Sequence, residues 1–187
     1  MILLFSLGNS ADAFLLLRLT EALGSATYIP LLWALLHVVK ASLSTWGGTL
    51  SDTLGRKQVI VLGWTIYTIV YIGFATATRG ATFVSWFLLY GVYFGLAEGA
   101  EKALVADLTP AQRHGTAFGV YNAALGAGAL TASVLFGMLY ERYSPATAFF
   151  TGAALAGVAA LLLLLIPTGR IESVKIDGSH ASNSRHQ

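Results

Sequence analysis

The chain has 187 residues, 56% of them apolar and 11% charged, with a mean hydropathy of +0.69 and a formal net charge of +2. A water-soluble domain of this size has more surface than so few charges can cover, so lipid is the expected solvent for most of it. The absence of cysteine excludes disulfides, thiolate nucleophiles and zinc–thiolate sites. The basic residues are too scattered to read as a nucleic-acid surface and fit a membrane-topology signal instead.

A helix needs about 20 mostly apolar residues to cross the hydrocarbon. Six runs qualify, at residues 2–20, 28–50, 58–78, 82–103, 116–140 and 146–167. The expected fold is an all-α integral membrane protein, with short connections that make neighbouring spans antiparallel. No period-two alternation supports a membrane β-barrel.

Residues 1–14 lack the basic start of a signal peptide and are interrupted by Asn9 and Asp12, so they open the first span. Asn9 and Asp12 share adjoining parts of one helix face. Asp12 lies near mid-depth, where a carboxylate serves either a solute or proton path or a structural pair. Arg18 lies roughly 120° away by the helical period and near the outer end, where it can reach water.

The second span places His37, Lys40 and Ser44 on one side, a stripe that either lines a path or packs on a neighbour. Next comes the decapeptide 48–57, GTLSDTLGRK, the densest charge cluster between two apolar segments, which reads as a tight loop. Gly48 and Gly55 permit close approach and reversal. Asp52 suits the exposed N–H groups of a neighbouring helix N-terminus, and Arg56 and Lys57 anchor the loop at the cytoplasmic face.

In the fourth span Gly91, Gly95 and Gly99 recur every four residues and predict a groove for another helix. Glu98 and Lys102 form a favourable i,i+4 pair beside it, with Glu101 further round. The connection 106–115 predicts an N-cap at Thr109, Pro110 at the first helical position and a short surface helix. Gly115 and Gly119 form another small-xxx-small pair at the entry to the fifth span, with Gly126 and Gly128 following, a pattern common to any packed membrane helix, and Asn122 is a candidate for interhelical hydrogen bonding. Residues 1–167 form the expected bundle. Residues 168–187 are polar and predicted to be a disordered tail, in which Asp177, His180 and His186 read as solvated rather than as metal ligands.

An even number of spans puts both termini on one side. That side holds Arg56, Lys57, Arg113, Arg170, Lys175 and Arg185; the other holds Arg18, Arg79 and Arg142. The excess predicts cytoplasmic termini.

The pattern G-x-L-x-D-x-x-G-R-K in the decapeptide resembles the loop signature of the major facilitator superfamily of secondary transporters. Residues 99–119, with an acid–lysine pair, DLTP and RHGTAFG, resemble the connection between the tenth and eleventh helices of bacterial members. Residues 8–18 resemble the seventh helix. The fourth span lacks the R-x-x-x-G arginine of N-terminal halves, and the fifth lacks their glycine–proline motif. The resemblance therefore implies a C-terminal six-helix half, with a solute site between two halves near the midplane.

It further implies secondary active transport of a small solute by alternating access, with proton coupling left open, in a cell (inner) membrane and with no cofactor. Path candidates are Asn9, Asp12, His37, Lys40, Glu98 and Asn122. Gly48, Asp52, Gly55, Arg56 and Lys57 would steady the state closed on the cytoplasmic side, and Gly91, Gly95, Gly99, Glu101 and Lys102 would serve packing and pairing. The implied partners are lipid, a small solute and an N-terminal six-helix half, expected in the same polypeptide more than in a second chain. Two other readings are a non-transporting six-span scaffold and a membrane-embedded enzyme. Against the enzyme, the spans hold no glycine-framed serine–histidine pairing, zinc-type histidine spacing or paired aspartates.

Overall fold

In a computed structural model, which describes residues 1–166, the chain forms helices throughout. They are α1 (Ile2–Gly8), α2 (Asp12–Leu23), α3 (Ile29–Leu54), α4 (Arg56–Thr76), α5 (Gly80–Asp107), α6 (His114–Arg142) and α7 (Pro145–Leu165). Counting α1 and α2 as one interrupted crossing, six segments are long and apolar enough to span a membrane. The expected tail, with Asp177, His180 and His186, lies outside the described residues.

Three expectations need correction. The first span is not one helix: residues 9–11 leave the helical path between α1 and α2. The decapeptide 48–57 is not a loop, because α3 runs on to Leu54 and α4 begins at Arg56, leaving Gly55 alone at the reversal. Its φ of 97° is one that a side chain disfavours. The connection after α5 holds one 3-10 turn at Ala111–Arg113 with no side-chain cap, so Thr109 is not an N-cap; its carbonyl instead meets His114 Nε2 at 2.9 Å.

Local chemistry explains the other boundaries. Gly24, in the left-handed conformation, closes α2. The Ser144 hydroxyl accepts from the Thr147 N–H, with Pro145 behind it, to start α7.

α4 packs along both α5 and α7, and α3 lies along α5. The break lets the first crossing serve two sets of neighbours: α1 sits against α6 and α7, while α2 leans on α5. An aromatic column fills the centre. Phe5 stacks on Trp64 at 4.4 Å, Tyr67 on Tyr71 at 4.2 Å, and Phe149 packs on Phe74 at 5.2 Å. Half of the spanning window of α4 is buried, against 11% for α3 and 17% for the α6 segment.

The uncovered surfaces differ in chemistry. On α4 and α7 they carry Leu62, Ile69, Ile72, Val158, Leu161 and Leu165, a composition suited to lipid. On α3 and α6 exposed apolar residues such as Leu35, Val38, Trp46, Val120 and Leu130 are interspersed with His37, Ser44, Thr45, Gly119, Asn122 and Gly126.

Candidate functional site

Breaking a helix at membrane depth frees backbone groups that lipid cannot satisfy. Here tyrosines from α4 and α5 meet the break. The Tyr67 hydroxyl donates to the Gly8 carbonyl at 2.9 Å, the Tyr71 and Ser10 hydroxyls lie 2.9 Å apart, and the Tyr90 hydroxyl donates to Asp12 Oδ1 at 2.7 Å. Asn9 is half-buried at the same level. Asp12 is thereby held at the first turn of α2, within electrostatic range of Lys40 and His37.

The expected Glu98–Lys102 pair forms at 2.7 Å, and α3 adds a second cation: Lys40 Nζ lies 2.6 Å from Glu98 Oε2 and 4.6 Å from the Phe94 ring centroid. The side chains of Lys40 and Glu98 are 34% and 37% exposed, so this pair contributes only about 0–1 kcal/mol to stability. It matters more as an ionic group facing open space. His37 is exposed and its Nδ1 meets the Trp33 carbonyl at 2.9 Å. Asn122 is exposed on α6 and makes no side-chain bond to this group. The structure therefore gathers Asp12, His37, Lys40 and Glu98, with Asn9 beside them and Asn122 apart.

α3 approaches α5 over Gly91 and Gly95, where an added Cβ would meet the Leu36 carbonyl at 3.2 Å and Leu43 Cβ at 2.7 Å respectively. Gly99 faces open space. Each four-residue step turns a helix about 40° past a full turn, so the third glycine has rotated off the shared face. Gly48 also has nothing near it; its neighbour Gly47 is the one buried against α5.

At the junction, Arg56 gathers three groups. It pairs with Asp52 at 2.5 Å, donates to Ser51 Oγ at 3.0 Å, and reaches Asp107 at the end of α5 at 3.3 Å. Among the described residues Lys57 does not pair with an acid. Its ammonium caps α7 by donating to the carbonyls of Leu164 and Ile166 at 2.9 and 2.5 Å, an arrangement that complements the helix dipole. The Asp52 side chain stays 65% exposed despite its partner, so it has room for further donors.

Glu101 is the functional-looking residue whose setting the sequence concealed. It is buried, with Trp64 Nε1 donating to one oxygen at 2.7 Å and the Tyr121 hydroxyl to the other at 2.9 Å. Both donors are neutral and come from other helices. At the opposite end of the bundle, Arg18 pairs with Glu21 at 3.0 Å and lies over the Phe83 ring at 5.0 Å, while Tyr140 donates to Glu21. Among the described residues no three His, Asp or Glu side chains gather in a metal-binding arrangement.

Six spans with an interrupted first crossing define a multi-pass helical membrane protein. The chain belongs to the major facilitator superfamily, whose family model matches residues 1–184. It is 36% identical over 169 residues to an uncharacterized MFS-type transporter of Methanocaldococcus jannaschii, covering 87% of this chain and 42% of that protein. It is 30% identical to the uncharacterized MFS-type transporter YhjO of Bacillus subtilis, covering 90% of this chain and 41% of that one. The quinolone resistance protein NorA of Staphylococcus aureus is 24% identical over 124 residues, covering 66% of this chain and 31% of NorA. The chain thus spans about two fifths of the length of the first two relatives.

Proposed function

We propose that the chain is the C-terminal half of a facilitator permease that moves a small solute across the cell (inner) membrane by alternating access, with both termini cytoplasmic. The observation carrying this reading is the Lys40–Glu98 pair, set with Asp12 and His37 on a face its own bundle leaves uncovered. Charges at that depth need a water-filled cavity or a partner. An N-terminal half docked against α3 and α6, supplied by the same polypeptide or by a second chain, would enclose it. Asn9 and Asn122 would add polar contacts along the path, and Asp12 or Glu98 would be available for proton coupling.

In this reading the exposed side of the Asp52 carboxylate accepts N–H groups from a helix N-terminus of the other half when the cytoplasmic side is closed. Asp52→Ala is expected to lower the initial rate of solute flux about tenfold in liposomes holding both halves, a shift of about 1.4 kcal/mol between conformations. Insertion into the membrane should not change. Unaltered flux would remove Asp52 from the gating role.

The cysteine-free sequence allows a second test. Ser44→Cys, on the proposed path, should react with a membrane-impermeant thiol reagent in the assembled protein. Val158→Cys, on the lipid-suited face, should stay unlabelled. Equal labelling would refute the assignment of the two faces.

A further inference from the structure

A cavity of about 670 Å³ lies at the end of the bundle that carries Arg56, between α1, α4, α5, α6 and α7. Its walls are mostly aliphatic, with Ile2, Ile60, Leu104, Val120 and Leu163 prominent. Arg113 borders it at the membrane surface, from the connection that leads into α6. We propose that this cavity holds the tail of a single-chain anionic amphiphile, a fatty-acid-type carboxylate, whose head sits on the Arg113 guanidinium. This goes beyond the solute path described above, which runs over the Lys40–Glu98 face, and does not depend on it.

The space itself calls for an apolar occupant. Small-molecule sites span about 300–1,000 Å³ and are apolar with a few placed polar groups, and aliphatic walls do not offer the polar partners that held water needs. A tail already dissolved in lipid gains little by exchanging one apolar surrounding for another, so the head group decides which amphiphile stays. Among the described residues Arg113 pairs with no acid, and its planar fork matches a carboxylate through two parallel hydrogen bonds. α6 starts directly behind it without a side-chain cap, so the N–H groups of its first turn add to the attraction for an anion. Thr116, on that turn, lines the same cavity and offers a hydroxyl. Glu101 is the carboxyl on the wall, and it lies at the far end from the head. It is bonded to Tyr121, eight residues beyond Arg113, which is about 12 Å along the α6 axis. There it is held by Trp64 and Tyr121 and can be neutralised by its own proton, so it faces the tail without opposing the head.

The test is photolabelling of the 187-residue chain, in phosphatidylcholine nanodiscs, by a fatty acid that carries a diazirine at the end of its tail. Labelling should saturate and map to cavity residues such as Tyr121 and Ala124. Dodecanoate should compete at least tenfold better than dodecylammonium or dodecanol. Arg113→Gln should weaken labelling at least tenfold, whereas Arg142→Gln, at the opposite end of α6, should leave it within twofold. Ala124→Phe, which fills the cavity and keeps Arg113 in place, should abolish labelling even if Arg113→Gln misfolds. The same residues should label in the protein holding both halves; loss there would mean that the other half fills the cavity, and would overturn the proposal. Unsaturable label on lipid-suited residues such as Leu62 and Val158, equal competition by dodecylammonium, or label retained in Ala124→Phe or in a folded Arg113→Gln would each overturn it too. Stronger competition by phosphatidylglycerol than by dodecanoate would give the cavity to a phospholipid and overturn the fatty-acid assignment.

Discussion

Gly95→Leu is expected to be among the most destabilising single changes in this chain, lowering stability in detergent by about 3 kcal/mol or more, while Gly99→Leu changes it by less than about 0.5 kcal/mol. At Gly95 the first added carbon would sit 2.7 Å from Leu43 Cβ and 3.2 Å from the Lys40 carbonyl. The second of these is backbone and cannot turn aside. Relief requires α3 to move off α5, its broadest attachment in the bundle, and that movement draws Lys40 away from Glu98. Thermal unfolding of the two variants, four residues apart on one helix, measures the difference. Similar midpoints would mean that close contact between α3 and α5 is not what holds α3 in place.

The second large effect is expected at Tyr90. Tyr90→Phe keeps the ring and its packing but removes the hydroxyl that donates to Asp12 at 2.7 Å. A buried acceptor deprived of its donor costs about 1–3 kcal/mol, more when charged. The carboxylate should then turn toward Lys40 and His37, and solute flux should fall about tenfold or more, in step with Asp12→Asn. Tyr93→Phe is the control, since Tyr93 shares the same aromatic cluster without bonding a carboxylate. Equal losses at Tyr90 and Tyr93 would make the effect one of packing.

Hydropathy made the six spans legible because lipid demands long apolar runs, whatever the tertiary contacts. Span ends were less legible. α3 continues through Asp52 and α5 through Asp107 because Arg56 draws both acids to one place at the membrane surface, so charges that look like loop residues end up on helices. The interruption at residues 9–11 was hidden for a different reason. Tyr67, Tyr71 and Tyr90 lie 59 to 78 residues away from their partners, and no local pattern announces them. The setting of Glu101 was hidden likewise: it is three residues from Glu98, but its donors Trp64 and Tyr121 stand on two other helices.

The junction around Gly55 also bears on mechanics. Arg56 ties the ends of α3 and α5 to the start of α4, and Lys57, one residue on, ties α7 to the same point. Four of the six crossings are thus fastened together within one helical turn. Axial sliding of any one past the others would have to break an ion pair or uncap a helix, whereas turning all four together keeps these ties intact. These ties therefore favour the four crossings moving together as one block rather than one at a time.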